Sequence, residues 1–154
     1  MKKIYLFFAF FVFAIFLSGC SSKNQAMNEL ADDGKYHYEN KDLGFNIVLP
    51  SEFIYYQTQR KKVGDIMDLE FFVPTADTSY VQEVFGYAKP VVVRIFEKDD
   101  WSATDDNEKK IYEKIGEKNN SVFTIKFWEK IPEDWKNKWN DDIKREIIDG
   151  FELR

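Results

Sequence analysis

The chain has 154 residues, of which 22 are Lys or Arg and 27 are Asp or Glu, giving a formal charge of −5 at pH 7. Residues 1–19 hold two of the lysines and no acid, so the remainder has 20 basic and 27 acidic side chains and a balance of −7. Such a chain lacks the basic stripe of a nucleic-acid-binding protein, which excludes that class of partner. It also gains no attraction to anionic lipid headgroups, so charge alone would not hold it at a membrane.

The first 19 residues have the layout of a secretory signal peptide. Lys2 and Lys3 supply the positive end, and residues 4–16 are all apolar or aromatic. This apolar run is shorter than the roughly 17–25 residues that a helix needs to span a bilayer, and polar residues follow it at once. We therefore predict a signal peptide over residues 1–19 rather than a permanent transmembrane helix.

The only cysteine, Cys20, ends the sequence "LSGC" (residues 17–20), which resembles the lipobox of bacterial lipoproteins. The resemblance implies a lipid on the Cys20 sulfur and cleavage after Gly19. No second cysteine exists to form a disulfide within the chain, so Cys20 is predicted to be an attachment point. The lipid would hold the protein at the bacterial cell membrane or outer membrane, facing outside the cytoplasm.

The polar residues after Cys20 contain few large apolar side chains, so residues 20–35 are predicted to be the lipidated cysteine and a mostly flexible tether. Residues 36–154 are predicted to form one globular domain, because a chain of this length can bury a substantial core.

The first half of this domain alternates apolar and polar residues as antiparallel strands do. Residues 36–50 predict two strands around a turn, residues 53–61 a third strand and residues 65–74 a fourth. The third strand leaves two choices open, with either Phe53 and Tyr55 or Ile54 and Tyr56 facing inward. The residues of the second and fourth strands that share a face are Phe45, Ile47 and Leu49, and Leu69, Phe71 and Val73.

The middle of the chain predicts one strong strand and two less regular segments. Residues 75–89 begin with turn formers and then place Val81, Val84 and Phe85 at three-to-four spacing, which predicts a short middle helix or an irregular connection. Residues 90–98 are rich in β-branched side chains, and we expect this strand at the centre of the sheet. Its inward residues would be Val91, Val93 and Ile95.

The last third predicts an acidic loop, a hairpin and a helix. Residues 99–110 are predicted to form a loop with a helical turn toward its end. Residues 110–130 are predicted to form a hairpin, because Asn119-Asn120 can adopt positive φ angles. A C-terminal helix is predicted to begin at Pro132 and to end at Gly150, after which Phe151 and Leu153 fold back onto the core. Its apolar stripe recurs every four residues at Trp135, Trp139, Ile143 and Ile147.

These elements predict an α+β fold, in which an antiparallel sheet of about six or seven strands is packed by a C-terminal helix and a short middle helix. The sequences "YENKDLGFNIVLP" (38–50) and "IIDGFEL" (147–153), together with the order of the elements, resemble the PsbP-like α/β/α sandwich. That fold occurs in photosystem accessory proteins and in many small bacterial lipoproteins. The resemblance implies a scaffold without a shared catalytic set, which favours an accessory or binding protein over an enzyme.

Few residues have the pattern of a catalytic or metal site. His37 is the only histidine, so neither a zinc site nor a histidine-based triad is supported, and we predict no catalytic residue, metal or cofactor. The acidic loop, residues 97–108, offers several carboxylates to a calcium ion but lacks the Asp-x-Asp-x-Asp-Gly order, and calcium binding there stays open. Its acids are Glu97, Asp99, Asp100, Asp105, Asp106 and Glu108.

Trp101 stands among these acids, and an exposed tryptophan there is a candidate contact for a partner protein of the cell envelope. The leading hypothesis is a lipid-anchored extracytoplasmic accessory or binding protein of unknown ligand. The alternative is a small metal-dependent or carboxylate-based hydrolase at the cell envelope. An enzyme should place two or more carboxylates with raised proton affinity in a pocket, whereas a binding protein should present an apolar or aromatic surface.

Overall fold

The computed structural model describes residues 29–154, which form an α+β fold with two antiparallel sheets and three helices. One sheet has three strands in the order β1-β2-β8, and the other has five in the order β3-β4-β5-β7-β6. The strands are β1 (Tyr36–Asn40), β2 (Phe45–Leu49), β3 (Gln57–Val63), β4 (Ile66–Pro74), β5 (Tyr87–Glu97), β6 (Glu113–Lys118), β7 (Ser121–Phe127) and β8 (Glu152–Leu153). The helices are α1 (Lys98–Ala103), α2 (Asp106–Ile111) and α3 (Asp141–Asp149). The expected single sheet of six or seven strands is therefore two sheets.

The core lies between the two sheets. The predicted inward residues of β2, β4 and β5 are all buried, and they belong to one apolar cluster that also includes Phe123 and Ile125 of β7. Alternating side chains on each strand produce this arrangement, since every second residue points to the same face. The prediction that β5 lies at the centre of its sheet is confirmed. The predicted hairpin is also present, and Asn119 has a φ of 55° at its turn.

The third strand begins later than predicted. A single 3-10 turn, Ser51–Phe53, follows Pro50, and β3 starts only at Gln57. Tyr55 has a φ of 59°, which breaks the extended backbone between the turn and the strand. Phe53 and Tyr56 are therefore the buried residues, while Tyr55 is 69% exposed, and neither of the two alternating patterns considered for this segment is correct.

The C-terminal helix also begins later than predicted. Pro132 is followed by a 3-10 turn, Glu133–Trp135, and α3 starts at Asp141, where the Asn140 side chain accepts a hydrogen bond of 3.0 Å from the backbone N–H of Ile143. Asparagine at this position satisfies a backbone donor that the helix leaves unpaired, so Asn140 was the better start signal. The four stripe residues are nevertheless all buried. The predicted end is correct, because Gly150 caps α3, and Phe151 and Leu153 pack against the core.

Residues 75–86 form turns and irregular backbone, so the second of the two alternatives for this segment, an irregular connection, is correct and the short middle helix is not formed there. In the acidic segment, α2 lies where a helical turn was predicted, whereas α1 was not predicted. Asp105 begins α2, because its carboxylate accepts hydrogen bonds from the backbone N–H groups of Asn107 (2.7 Å) and Glu108 (3.0 Å). An acidic residue at a helix start is stabilised by the unpaired N–H groups there, which explains why so many acids are compatible with helix in this segment.

Candidate functional site

The five-stranded sheet has a second face, which points away from the core. Asp68, Glu70 and Phe72 of β4 alternate with the core residues and therefore lie on this face. Across the sheet, Asp68 is opposite Arg94 of β5 and Glu70 is opposite Val92. Both acids are nonetheless buried, with Asp68 only 6% and Glu70 only 5% exposed. Buried carboxylates need charged or hydrogen-bonding partners, and each has one.

Arg94 is the partner of Asp68. Its Nε and Nη2 atoms each donate a hydrogen bond of 2.7 Å to one oxygen of the Asp68 carboxylate. The guanidinium also lies 4.4 Å from the ring centre of Tyr112, and its third nitrogen is 3.5 Å from Glu108 of α2. The hydrogen bonds to Asp68 raise the pKa of Arg94. This group fixes α2 and the start of β6 against the second face.

Lys89 is the partner of Glu70. Its ammonium lies 2.8 Å from Glu70 and 2.6 Å from Glu83, a residue of the irregular segment 75–86. Burial opposes the positive charge of Lys89, but its hydrogen bonds to Glu70 and Glu83 together raise its pKa. The lysine therefore connects the buried acid of β4 with the irregular segment.

A groove of about 220 Å³ lies on the second face beside this lysine. Phe72 and Val92 form its floor, because both point outward from the sheet and remain almost completely buried. One wall comes from the irregular segment and the start of β5, and the other from the end of β7 and the residues after it. We call it the aromatic groove, after the wall residues Tyr80, Tyr87, Phe127 and Trp128. Lysines 126 and 130 and glutamates 83 and 129 also line it.

Hydrogen bonds hold the irregular wall of the groove in place. Asp77 accepts from the backbone N–H of Glu133 (3.0 Å) and from both the backbone N–H (2.8 Å) and the hydroxyl (2.6 Å) of Ser79. Asp134 accepts in turn from the Thr75 hydroxyl (2.8 Å) and the backbone N–H of Ala76 (2.9 Å). The hydrogen bond from the Ser79 hydroxyl and those from backbone N–H groups lower the pKa of Asp77 to about 2. The wall therefore has a defined shape without forming a helix.

The opposite wall carries the indole of Trp128. Its ring packs edge-on against Trp139 at 4.9 Å and against Trp135 at 5.6 Å between ring centres. The indole N–H is buried and has no acceptor within the described part of the chain. Trp128 thus joins the groove to the core through two aromatic contacts.

The carboxylates of residues 97–108 do not gather around one point. Asp105 caps α2 and Glu108 faces Arg94, so two of the six already have structural partners. Within residues 29–154, no three Asp, Glu, His or Cys side chains lie close enough together to hold a metal ion. In the groove, Glu83 pairs with Lys89 and Glu129 pairs with Lys126 at 2.9 Å, and the hydrogen bond from Lys126 lowers the pKa of Glu129.

Trp101 and His37 have ordinary packing partners. Trp101 is half-buried on α1, where its ring lies 5.2 Å from that of Phe96 and 5.6 Å from the Lys109 ammonium. It therefore covers the second face near the end of β5 and leaves only part of its surface free. His37 is exposed, and its Nε2 lies 2.8 Å from the Asp33 carboxylate. The structure does not bring these two residues to the aromatic groove.

Cys20, the predicted signal peptide and most of the predicted tether lie outside the described residues. Within residues 29–154, none of the helices has the length and apolar composition required to cross a membrane. No protein family, curated protein or solved structure matches the chain at a significant level.

Sequence reasoning missed the groove, although two signals pointed toward it. Asp68, Glu70 and Arg94 are charged residues inside strands that are otherwise strongly apolar, a pattern that indicates ion pairs on a second buried face. Val81 and Phe85 lie at helical spacing but follow turn-forming residues, which also allows an irregular segment. They are 85% and 97% exposed, as residues of an irregular surface segment can be.

Proposed function

We propose that the protein is a lipid-anchored, extracytoplasmic binding or accessory protein whose binding site is the aromatic groove. The observation that carries this proposal is the composition of the groove, which combines an apolar floor and aromatic walls with lysines at its edge. Both glutamates that line it are neutralised by lysines, and the pKa of Glu129 is lowered. Such carboxylates suit a general acid poorly, whereas apolar walls with a few polar groups are typical of ligand sites.

The anchor and the location are part of the same proposal. The sequence ending at Cys20 supports lipid attachment there, after removal of residues 1–19, with the membrane as the resulting partner. Residues 36–154 then form one domain outside the cytoplasm, at the cell membrane or the outer membrane. The two antiparallel sheets and the helix at the C-terminal end are compatible with a PsbP-like sandwich, which we propose as the fold family.

The ligand class follows from the groove's chemistry. A volume of about 220 Å³ accommodates one or two apolar or aromatic side chains but not a large cofactor. Lys126 and Lys130 favour a carboxylate next to that apolar group, although Glu129 already neutralises part of their charge. We therefore propose an apolar, weakly acidic segment of another envelope protein as the occupant.

Photo-crosslinking in native membranes tests this proposal. A photoreactive amino acid replaces Lys130 at the groove, and a matched variant carries it at Lys61, an exposed lysine of β3 that does not line the groove. We expect a discrete crosslinked protein from position 130 and none from position 61, detected by mass spectrometry. The same products from both positions would exclude a specific site in the groove.

Two further measurements complete the test. Position 101 is labelled in the same way, because Trp101 is the second candidate contact, and a partner captured there but not at position 130 would move the site to α1. Mass spectrometry of the purified mature protein should show acyl chains on Cys20 and an N-terminus created by cleavage after Gly19. An unprocessed N-terminus without acyl chains would contradict the anchor.

A further inference from the structure

Several large apolar side chains are exposed on the surface of the described residues, and three of them lie in irregular segments just before β3 and β5, at one end of the five-stranded sheet. Phe85 is 97% exposed, Tyr55 is 69% exposed and Ile54 is 50% exposed. Val81, 85% exposed, extends this group toward the aromatic groove. Single exposed apolar residues are common, but a group at one end of a fold indicates a contact surface. We call Ile54, Tyr55 and Phe85 the apolar end.

Strand register shows that these residues share one end. Gln57, the first residue of β3, is opposite Phe72 near the end of β4, and Pro74 at the end of β4 is opposite Tyr87 at the start of β5. The side-chain amide of Gln57 also donates a hydrogen bond of 2.8 Å to the Tyr87 hydroxyl. Tyr55 precedes Gln57 by two residues, and Phe85 precedes Tyr87 by two. Both therefore lie at the same end of the sheet.

The chain from Cys20 joins the fold at this same end. Tyr36, the first residue of β1, packs edge-on against Tyr56 with 5.8 Å between ring centres, next to Tyr55. Just before it, the Lys35 ammonium pairs with Glu146 of α3 at 2.8 Å. Nine peptide links connect Cys20 to Glu29, so the sulfur lies at most about 30 Å from the first described residue. A lipid on Cys20 would therefore keep the apolar end within reach of the bilayer.

We propose that the apolar end docks onto the membrane, with Phe85, Tyr55 and Ile54 inserted at the interface between lipid headgroups and acyl chains. This inference rests on the lipid anchor of the proposed function. Three side chains would bind vesicles weakly on their own, but a short tether raises their effective concentration at the bilayer and makes docking an intramolecular step. Phe and Tyr suit this interface because their rings are apolar and, in Tyr, carry a polar tip.

The charge of the protein predicts which lipids are sufficient for docking of the apolar end. The residues after position 19 have a balance of −7, so anionic headgroups do not attract this protein overall. Docking should therefore occur on electrically neutral phosphatidylcholine and should change little with salt. The aromatic groove, which shares Val81 with the exposed group, would then open close to the membrane surface.

Fluorescent labelling of the acylated protein tests the docking. Because Cys20 is the only native cysteine and its sulfur would carry lipid, Phe85→Cys introduces a single reactive thiol for an environment-sensitive NBD label. The matched control is Val63→Cys, at the opposite end of the sheet and 63% exposed. After reconstitution in phosphatidylcholine vesicles, we expect a blue shift and a several-fold loss of iodide quenching at position 85, with no change at position 63.

A second pair of variants tests whether insertion of Phe85 causes the protection. A label at Tyr55→Cys should be protected from iodide in the same vesicles, and Phe85→Asp should abolish that protection because it replaces the inserted apolar ring with a charged side chain that favours water. The control Val63→Asp should leave it intact. All variants should still float with the vesicles, since the acyl chains hold them.

The outcomes separate the docking from the anchor. Protein that floats and carries acyl chains on Cys20, but is quenched equally at positions 85 and 63, would overturn the docking and leave the anchor standing. Protein without acyl chains that stays with the soluble fraction would overturn both. Protection of position 85 in native membranes but not in lipid vesicles would mean that another protein covers the apolar end, which also overturns the docking.

Discussion

The two faces of the five-stranded sheet are both buried, yet they achieve burial by different chemistry. The core face is apolar, and Phe71 on it is 0% exposed. The second face carries Asp68 and Glu70 next to Phe72, and it is covered by arginine and lysine side chains, two short helices and an irregular segment. A face covered by ion pairs and loops leaves gaps that a second sheet would fill. The aromatic groove is such a gap, so the less regular face carries the candidate site.

The two faces should differ most in the loss of unfolding free energy when a buried phenylalanine on each face is truncated to alanine. Phe71→Ala leaves a hole between the two sheets and should lower the free energy of unfolding by about 3–5 kcal/mol. Phe72→Ala removes an equally buried ring, which is 1% exposed, but its space opens into the groove, where water can enter. We expect a smaller loss of about 1–3 kcal/mol, measured by urea denaturation. Equal losses would show that the groove floor is packed as tightly as the core.

The next effect concerns the ion pair of the second face. Asp68→Ala leaves the guanidinium of Arg94 without its main acceptor in a largely buried position, and should cost about 2–3 kcal/mol of unfolding free energy. The double variant Asp68→Leu with Arg94→Met removes both charges and should recover most of that loss.

The exposed pair of Asp42 and Arg60 is the control for this measurement. Its atoms are 3.0 Å apart, but the Asp42 side chain is 67% exposed, so Asp42→Ala should cost no more than about 0.5–1 kcal/mol. If Asp42→Ala were as destabilising as Asp68→Ala, burial would not explain the importance of the second-face pair.

The contrast between the apolar core face and the ion-paired second face also explains which features could be predicted from the sequence. The inward residues of β4 were predicted correctly, because Leu69, Phe71 and Val73 recur at every second position and the charged residues Asp68 and Glu70 point to the other face. The apolar stripe from Trp135 to Ile147 was predicted for a similar reason, but the helix start was wrong, because a 3-10 turn and α3 together bury the same residues as one longer helix.

The site was not predicted, because it depends on contacts between segments far apart in the chain. The irregular wall is held by Asp134, which follows Thr75 by 59 positions, and by Asp77, whose partner Glu133 lies 56 positions away. Neither interaction has a local sequence pattern. Trp101 stands among acidic residues, but its packing on Phe96 depends on α1, which the sequence did not predict.

The smallest expected effect is a loosening of the irregular wall in acid. The pKa of Asp77 is lowered to about 2, first by the Ser79 hydroxyl and then by the backbone N–H groups of Glu133 and Ser79. A carboxyl whose pKa is lower in the folded state stabilises the fold above its unfolded value and loses that contribution as the pH falls through the folded value. The wall should therefore stay ordered above about pH 4 and loosen as the pH falls toward about 2.

NMR can follow this change through the backbone amide signals of Ser79 and Glu133, whose donors bind the Asp77 carboxylate. Asp77→Asn keeps an acceptor oxygen but cannot titrate, so the pH dependence of both signals should flatten in this variant. Glu117 has a pKa that Lys114 and Lys98 lower to about 2 as well, and Asp77→Asn leaves its acid response unchanged. Amide shifts that persist in Asp77→Asn would therefore report acid effects elsewhere and contradict local control of the wall. Shifts that vanish with the carboxyl would show that Asp77 controls the acid response of the groove's irregular wall.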